Sequence, residues 1–273
     1  MELRSVLFVY NADKPGAREV AGRGEAWCRG RGIAAQVTSR RRFSVDTVDM
    51  VVGVGGDGTL LRVASAVYPR PVPILGVHMG SLGFLAACRA DAVETALERA
   101  TAGQVRLEHR LRLAAQPGNT ALNDVAVVGP GDSRFTEVAL RADSELVAIW
   151  PGDGLVLATP TGATAYALAA GGPLVRPDTE CLVAAPVNPH RIDIRPVVLP
   201  ATARVEIRAG YPATLLVDGD PAGRLAAGAA VALQAAPAPT VLVRLSDELP
   251  FYARARAKLG WSRWGVADEE VDR

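Results

Sequence analysis

The stretch VVGVGGDGTLLRVASAV, residues 51 to 67, holds two apolar runs of different period, separated by three glycines and one aspartate. The first run is typical of a strand and the second has the spacing of a helix. Gly55, Gly56 and Gly58 permit close approaches that a side chain would forbid and leave amide groups free to face phosphate oxygens near a helix N-terminus. In open α/β sheets, ligands bind at such turns, beyond the carboxyl ends of the strands.

The segments around this stretch continue the alternation of strand and helix. RSVLFVY and IAAQV are typical of short strands, a second glycine turn follows PVPILGV, and RADAVETALERATAG has the pattern of an amphipathic helix closed by Gly103. Alternating strands and helices fold as a parallel sheet covered by helices. We therefore predict an α/β domain with a parallel sheet over residues 1–104.

The pattern changes from about Val105. Short alternating segments follow, separated by Gly, Pro, Asn and Asp, and include ALNDVAVV, FTEVALRA, GLVLATP and TARVEIRA. Strands at this spacing predict an all-β, sandwich-like domain, which we assign to residues 105–252. For 253–273 we predict a C-terminal helix, within FYARARAKLGW, that packs back across the domain boundary, and then a mobile acidic tail.

Charge and composition exclude several classes of partner. The chain of 273 residues has 30 basic and 29 acidic side chains and no basic block, so nucleic acids and membranes lack their main electrostatic attraction. No apolar run is long enough for a signal peptide or a membrane span, which predicts a cytoplasmic protein. The three cysteines are far apart and not in CxxC pairs, which argues against disulfides or a zinc site. A small or phosphorylated metabolite is the favoured ligand.

Asp57 is the unexpected residue of the glycine turn. A carboxylate beside a phosphate is repelled unless a cation lies between them or the carboxylate handles a proton. Asp57 is therefore either a magnesium-linked acceptor or a general base that takes a proton from an attacking hydroxyl. The alternative is an ordinary DG turn whose aspartate caps a helix starting at Thr59.

Several segments, in order along nearly the whole chain, resemble the NAD kinase family. They are GGDGTLLR, LNDVAVV, GDGLVLATPTGATAYALAAGGP, PHRIDIRPVVLP and LLVDGD, with similar ends at YNADKPGA and RAKLGW. The GGDGT motif is shared with diacylglycerol and sphingosine kinases and with phosphofructokinases. PTGxTAY followed by AGGP, after an Asn-acid pair, is much more specific.

The resemblance implies transfer of a phosphoryl group, normally from ATP with a divalent cation such as Mg²⁺, to the 2′-hydroxyl of the adenosine ribose of NAD. Asp57 matches the catalytic base of the family, and Gly58 and Arg62 follow it in the same loop and helical turn. Gly55, Gly56 and Thr59 complete the phosphate loop.

The same resemblance assigns the dinucleotide site. Asn123 and Asp124 are adjacent at the start of a predicted strand, where the resemblance makes them nucleotide-binding residues; without it, ND would be interpreted as a turn. The remaining predicted NAD-binding residues are Phe84, Arg134, Asp153, Thr161, Thr164, Ala165, Tyr166, Ala169, Asn188 and Asp220.

Five positions depart from the family pattern. Ala163 and Ala169 replace serines, His78 replaces Asn, Asp124 stands where many members have Glu, and Asp220 replaces Gln. One neutral hydrogen bond contributes about 1 kcal/mol, so we expect changes in dinucleotide affinity and in the preference between NAD and NADH rather than loss of activity.

The resemblance also implies a homodimer or homotetramer, in which Asp153 and Asn188 reach a neighbour's ligand. Two other functions stay open. A lipid kinase of the same superfamily needs an apolar substrate pocket, and a non-catalytic NAD(P)-binding regulator keeps the binding residues but has no need of Asp57.

Overall fold

The computed structural model describes residues 3–80, 83–116, 118–131 and 135–261. Within these ranges the strands are β1 (Ser5–Tyr10), β2 (Ala34–Thr38), β3 (Met50–Gly55), β4 (Ile74–His78), β5 (Cys88–Arg89), β6 (Val105–Arg110), β7 (Leu113–Ala115), β8 (Asn119–Ala121), β9 (Asp124–Val128), β10 (Thr136–Ala142), β11 (Glu145–Gly152), β12 (Gly154–Ala158), β13 (Cys181–Val187), β14 (Val197–Pro200), β15 (Val205–Ala209), β16 (Ala213–Val217), β17 (Asp220–Leu225), β18 (Ala230–Ala235) and β19 (Thr240–Leu245). The α-helices are α1 (Ala17–Arg29), α2 (Asp57–Val67), α3 (Val93–Thr101), α4 (Tyr166–Ala169) and α5 (Phe251–Leu259).

The first sheet has the order β2-β1-β3-β4-β19-β6, with β5 paired to β4. Strands β1 to β4 are parallel, which confirms the predicted α/β sheet. Successive residues of β3 serve opposite faces: Val52 packs with α1 and α3, and Val51 packs with α2. Because both faces are covered, β3 is buried throughout and reads as a continuous apolar run.

Two segments that we had placed in the β-rich part belong to this first sheet. Strand β19 runs parallel to β4 and antiparallel to β6. Pairing with β19 keeps β4 from becoming an exposed edge. The sheets therefore do not follow the predicted division between residues 104 and 105, because strand alternation in a sequence does not reveal which sheet a strand joins.

The C-terminal part is a sandwich of two six-stranded antiparallel sheets, as predicted. Their orders are β11-β10-β15-β18-β7-β8 and β14-β13-β12-β9-β16-β17. Val138 and Ile207 of the first pack with Leu155 and Leu157 of the second in a shared core. The outer face of the second sheet is also covered, since Val156 packs with residues at and before α4.

Helix α5 returns to the first sheet's loops. Arg254 and Ala255 are buried, and the ring of Phe251 lies 6.2 Å from the ring of Phe84. The helix ends at Gly260, which takes the left-handed conformation of a helix C-cap. The predicted mobile tail lies outside the described residues.

Cys28, Cys88 and Cys181 are free and buried. Burial raises the pKa of the Cys28 thiol to about 11 and that of Cys88 to about 12, so neither is a reactive thiolate near neutral pH. Across the described part of the chain, no helix is both long and apolar enough to cross a membrane.

Leu60 anchors helix α2 to the sheet. Its side chain fills the space that a Cβ would take at Gly53 of β3 and at Gly76 of β4. A Cβ added at these glycines would lie only 2.5 and 2.7 Å, respectively, from a Leu60 methyl carbon. These strand glycines allow the helix to approach closely.

We expect Leu60→Ala to lower the free energy of unfolding by about 2–5 kcal/mol, because the lost contacts leave a cavity under α2. Urea denaturation measures this loss, with the exposed Ser65→Ala on the same helix as the control. A loss no larger than that of the control would contradict this docking of α2.

Candidate active site

Asp57 lies at the carboxyl edge of the parallel sheet, where β3 ends at Gly55 and α2 begins. A Cβ on Gly55 would lie 2.2 Å from the Thr59 hydroxyl oxygen, so the turn is too tight for a side chain there. The N–H groups of the first helical turn have no partner within the helix and carry the positive end of its dipole. The turn therefore combines free amides with one carboxylate.

The carboxylate of Asp57 does not cap its own helix, whose N-cap, Gly56, makes no side-chain hydrogen bond. Instead it accepts hydrogen bonds across the sheet edge, from the Phe84 N–H to Oδ2 at 2.9 Å and from the Leu85 N–H to Oδ1 at 3.3 Å. A Cβ on Gly83 would lie 1.9 Å from Oδ1. The helix-capping alternative is thus wrong. The need for a glycine at Gly83 is not evident from the sequence, because it arises from a residue 26 positions earlier in the chain.

Two basic side chains lie along the same edge. The Arg62 guanidinium donates to the Tyr10 carbonyl at the end of β1 (3.3 Å), and burial followed by the charge of Arg41 lowers its pKa. His78, at the end of β4, pairs with Gly55 and is 3% exposed. Burial, followed by the charge of Arg89, lowers the pKa of His78. The family departure at His78 is therefore next to the turn that carries Asp57.

A second polar group forms where β9 begins. The carboxylate of Asp218, in the turn between β16 and β17, accepts the backbone N–H groups of Leu122 (2.9 Å), Asn123 (2.7 Å) and Asp124 (3.2 Å). Asp218 thus fixes the backbone of the LND segment. Asp220, which the resemblance assigns to the dinucleotide site, is exposed at the start of β17. The DG pair at 218–219 is the sequence signal for Asp218 as the turn-forming residue.

The PTGATAY loop is fastened to the same segment. The N–H of Thr159 donates to the Asn123 carbonyl (2.8 Å), and the Thr159 hydroxyl donates to the Leu122 carbonyl (2.6 Å). Gly162 packs on this backbone, since a Cβ there would lie 2.0 Å from the Asn123 carbonyl oxygen. The structure therefore brings together the two motifs that are most specific in the sequence.

Asp124 is 4% exposed at the start of β9, whereas Asn123 is half-buried just before it. Burial raises the pKa of Asp124 from its ordinary 3.8 to about 7, and the charge of Asp218 adds to the effect. Burial followed by the charges of Asp124 and Asp153 raises the pKa of Tyr166. Asp124, Asp153 and Tyr166 therefore share one electrostatic environment.

The other predicted residues differ in how they are placed. Asn188 donates its amide to Asp153 (2.9 Å), and Thr161 is buried with its hydroxyl accepting from Arg110 (3.1 Å). Thr164 and Ala165 are half-buried, Ala169 and Asp220 are exposed, and Ala163 is fully buried in the cluster beneath α4. Arg134 lies outside the described residues.

A cavity of about 860 Å³ opens beside these groups. Phe84, Thr161 and Thr164 line it, but Asp57, Asn123, Asp124 and Tyr166 do not. Its remaining walls come largely from β6, from the 176–178 loop and from the segment that leads into α5. The cavity therefore adjoins the predicted site without coinciding with it.

The wall of this cavity contains a buried group of charges. Arg244 donates to Glu108 (2.6 Å), and Arg254 donates to Glu248 (3.0 Å). Burial acts to raise the pKa of Glu108, but the charges and hydrogen bonds of Arg110 and Arg244 outweigh it and lower the pKa to about 2. Sequence reasoning missed these residues, because isolated charges in VRLEHR and RLSDELPFYARAR look like solvent-exposed positions.

An aspartate on a glycine turn of an α/β sheet, combined with polar loops fixed on a β-sandwich, is an arrangement suited to a small-molecule kinase that acts on a nucleotide-like substrate. The sequence matches the ATP-NAD kinase N-terminal domain over residues 34–105 and the ATP-NAD kinase C-terminal domain over 122–245. The chain belongs to the ATP-NAD kinase family.

Curated relatives match over most of their length. The NAD kinase of Gemmatimonas aurantiaca is 40% identical over 243 residues, 84% of either chain. That of Heliobacterium modesticaldum is 36% identical over 282 residues, covering 95% of this chain and 99% of the relative.

Two solved structures share the fold. An NAD kinase from Archaeoglobus fulgidus in complex with ATP has a TM-score of 0.80 and 27% identity, over 94% of this chain and 97% of that one. Yeast NADH kinase complexed with NADH has a TM-score of 0.86 over 98% of this chain and 90% of that one, and its 22% identity shows the fold alone.

The raised pKa of Asp124 gives a test of the second group. The folded protein keeps this proton up to about pH 7, whereas the unfolded chain releases it near pH 4, so this carboxyl makes the protein less stable as the pH rises between these values. We expect Asp124→Asn to raise the free energy of unfolding by about 1–4 kcal/mol at pH 8, and by less at pH 5.

Urea denaturation at both pH values measures the difference, with the exposed Asp91→Asn as the control. An Asp124→Asn protein that is less stable than the wild type at pH 8 would show that the carboxylate is better stabilised than its burial indicates.

Proposed function

We propose that the protein transfers the terminal phosphoryl group of ATP to the 2′-hydroxyl of the adenosine ribose of NAD, giving NADP. The observation that carries this proposal is the position of Asp57: its carboxylate is held on a glycine turn by two N–H groups and is turned away from its own helix. Two such bonds leave carboxylate lone pairs free to accept a proton.

Asp57 acts as the general base. The ribose 2′-oxygen attacks the γ-phosphorus of ATP, its proton passes to the Asp57 carboxylate, and the bond between the γ-phosphorus and the departing oxygen of ADP breaks. The amides of the turn and the N-terminal end of α2 face the phosphate oxygens. Arg62, at the same edge of the sheet, supplies a positive charge for a phosphate.

The dinucleotide binds at the segments that Asp218 and Thr159 hold in place. Asn123 offers a donor and an acceptor to the adenine edge, Asp124 accepts hydrogen bonds from ribose hydroxyls, and Tyr166, 37% exposed, stacks on a base. Phe84, Thr161, Thr164, Ala165 and Ala169 line the rest of the dinucleotide site, and Asp153, Asn188 and Asp220 lie nearer the edge of that site. Arg134 is kept as a dinucleotide-binding residue on the family resemblance alone. The adjoining cavity leaves room for the remainder of the substrates.

A divalent cation, with Mg²⁺ favoured, accompanies ATP. Within the described ranges, no group of three or more His, Cys, Asp or Glu side chains is arranged to hold a metal ion. This donor set would suit a cation carried mainly by the phosphates and their water, as Mg²⁺ usually is. When bound, the cation neutralises charge on the phosphates.

The two alternatives are less well supported. A lipid kinase needs an apolar pocket, whereas the wall of the cavity here is mixed and includes three buried arginines and two half-buried glutamates among its apolar residues. A non-catalytic regulator has no use for a carboxylate that is fixed by two backbone N–H groups on a glycine turn.

We expect Asp57→Asn to reduce kcat for NADP formation by at least about 100-fold, because the amide cannot take the proton. The assay uses NAD, ATP and Mg²⁺, and calorimetry measures NAD binding separately, which we expect to be retained. The matched control is Asp91→Asn, which removes an exposed carboxylate from the short 3-10 helix between β5 and α3.

Wild-type protein that binds NAD but makes no NADP, with ATP or with polyphosphate, would favour the regulator. Phosphorylation of diacylglycerol in vesicles, without phosphorylation of NAD, would favour the lipid kinase.

We also propose a cytoplasmic homodimer or homotetramer assembled through the sandwich. Its support is the exposed apolar side chains of the edge strands: Ile149 on β11 is 51% exposed and Val198 on β14 is 54% exposed. Ile192, in the loop between β13 and β14, is 93% exposed. Such side chains on sheet edges invite pairing with another copy.

Sedimentation velocity tests this assembly. We expect a dimer or tetramer for the wild type and a shift to smaller species for Ile149→Glu, since a buried charge opposes association. The exposed Leu107→Glu on β6, away from the sandwich, is the control. A monomeric wild type would contradict the proposal.

A further inference from the structure

Two buried arginines converge on the loop that holds Asp57. Arg244 lies on β19 and Arg254 on α5, and each is 4% exposed. Both side chains point into the backbone of residues 83–86, from positions about 160 residues further along the chain. We refer to these four residues as the carbonyl loop, because their carbonyl groups accept the hydrogen bonds.

The hydrogen bonds cover every carbonyl of this loop. Arg254 Nη1 donates to Gly83 (3.3 Å), Phe84 (3.3 Å) and Ala86 (3.0 Å). Arg244 donates to Phe84 from Nη2 (3.1 Å), and from Nη1 to Leu85 (3.1 Å) and Ala86 (3.3 Å). A guanidinium carries five N–H donors in a rigid fork, which suits several carbonyls in a row.

Two of these carbonyls belong to the peptide groups that bind Asp57. The Gly83 carbonyl and the Phe84 N–H form one planar peptide group, and the Phe84 carbonyl and the Leu85 N–H form the next. These are the two N–H groups that the Asp57 carboxylate accepts. Each peptide group is therefore bound by a guanidinium at its oxygen and by a carboxylate at its nitrogen.

This arrangement orients and strengthens both hydrogen bonds to Asp57. Hydrogen bonds in series polarise one another, so a cation at the carbonyl makes the N–H of the same peptide a better donor. The effect is larger where water is excluded, as it is around these side chains. The cations also fix the loop in position, and with it the direction of the carboxylate.

Acidic partners keep the arginines in place. Glu248 accepts from Arg254 (3.0 Å) and from the Leu245 N–H (2.8 Å), and Glu108 accepts from Arg244 (2.6 Å). Buried charges are tolerated when paired and hydrogen-bonded in this way. The pairing ties β6, β19 and α5 to the carbonyl loop.

We propose that Arg254 and Arg244 are positioning residues for Asp57, acting through the two peptide groups that begin at Gly83 and Phe84. Helix α5, at the far end of the chain, thereby controls the phosphoryl-transfer step rather than dinucleotide binding. This inference rests on the proposed role of Asp57 as the base.

Arg254→Gln tests this role. We expect kcat to fall about 10- to 100-fold, the range that misplacement of a reacting group by about 1 Å produces, while KM for NAD changes less than about threefold. Arg254→Lys keeps the charge but not the fork, so its kcat should lie between those of the wild type and Arg254→Gln. Arg256→Gln, exposed on the same helix, is the matched control.

A double-mutant cycle with Asp57→Asn separates positioning from general stability. If Arg254 acts through Asp57, then Arg254→Gln should have little further effect on kcat in the Asp57→Asn background. Urea midpoints of all variants show how much protein is folded under assay conditions, and Arg254→Lys continues the test if Arg254→Gln does not fold.

The inference would be overturned if Arg254→Gln lowered kcat by the same factor in the wild-type and the Asp57→Asn backgrounds, or if it changed only KM. Either result would leave the proposed kinase activity intact. Wild-type kcat in Arg254→Lys and Arg254→Gln would also overturn it. Failure of the wild type to form NADP would overturn the proposed function and this inference together.

Discussion

The contact on which the site depends is the pair of hydrogen bonds between the Asp57 carboxylate and the backbone of Phe84 and Leu85. It joins the two glycine turns of the parallel sheet, one after β3 and one after β4. Gly83 is required because no Cβ fits against the carboxylate. The buried arginines and their half-buried glutamate partners lie on the other side of this contact, so several segments distant in the sequence hold one side chain in place.

The sandwich uses the same device with different residues. Asp218 accepts three consecutive N–H groups ahead of β9, and Thr159 binds the neighbouring carbonyls, so the LND and PTGATAY segments form one rigid unit. In both halves a polar side chain fixes backbone, and the fixed backbone carries residues of the proposed substrate site. This arrangement lowers the stability of the folded protein at Asp124 above neutral pH, because burial, followed by the charge of Asp218, raises the pKa of Asp124 to about 7.

The sequence predicts the local structure well and the long-range contacts poorly. The strand, turn and helix of residues 51–67 and the change of pattern near Val105 follow from periodicity and glycine placement. The proposed roles of Asn123 and Thr161 came from the family resemblance, and without it the ND pair would be interpreted as a turn. Arg244, Arg254 and Asp218 escaped prediction because their importance arises from partners about 95 to 170 residues away. The pairing of β19 with β4 is equally invisible in an alternating pattern.

The most direct test of the account is the position of the transferred phosphoryl group. The wild-type protein is incubated with Mg²⁺, γ-labelled ATP and either NAD or its analogues lacking the 2′- or the 3′-hydroxyl of the adenosine ribose, and the products are identified by ³¹P NMR. We predict a phosphoryl group on the 2′-oxygen of NAD and of the 3′-deoxy analogue, and no phosphorylation of the 2′-deoxy analogue. A phosphoryl group on the 3′-oxygen, or phosphorylation of the 2′-deoxy analogue, would contradict transfer to the 2′-hydroxyl.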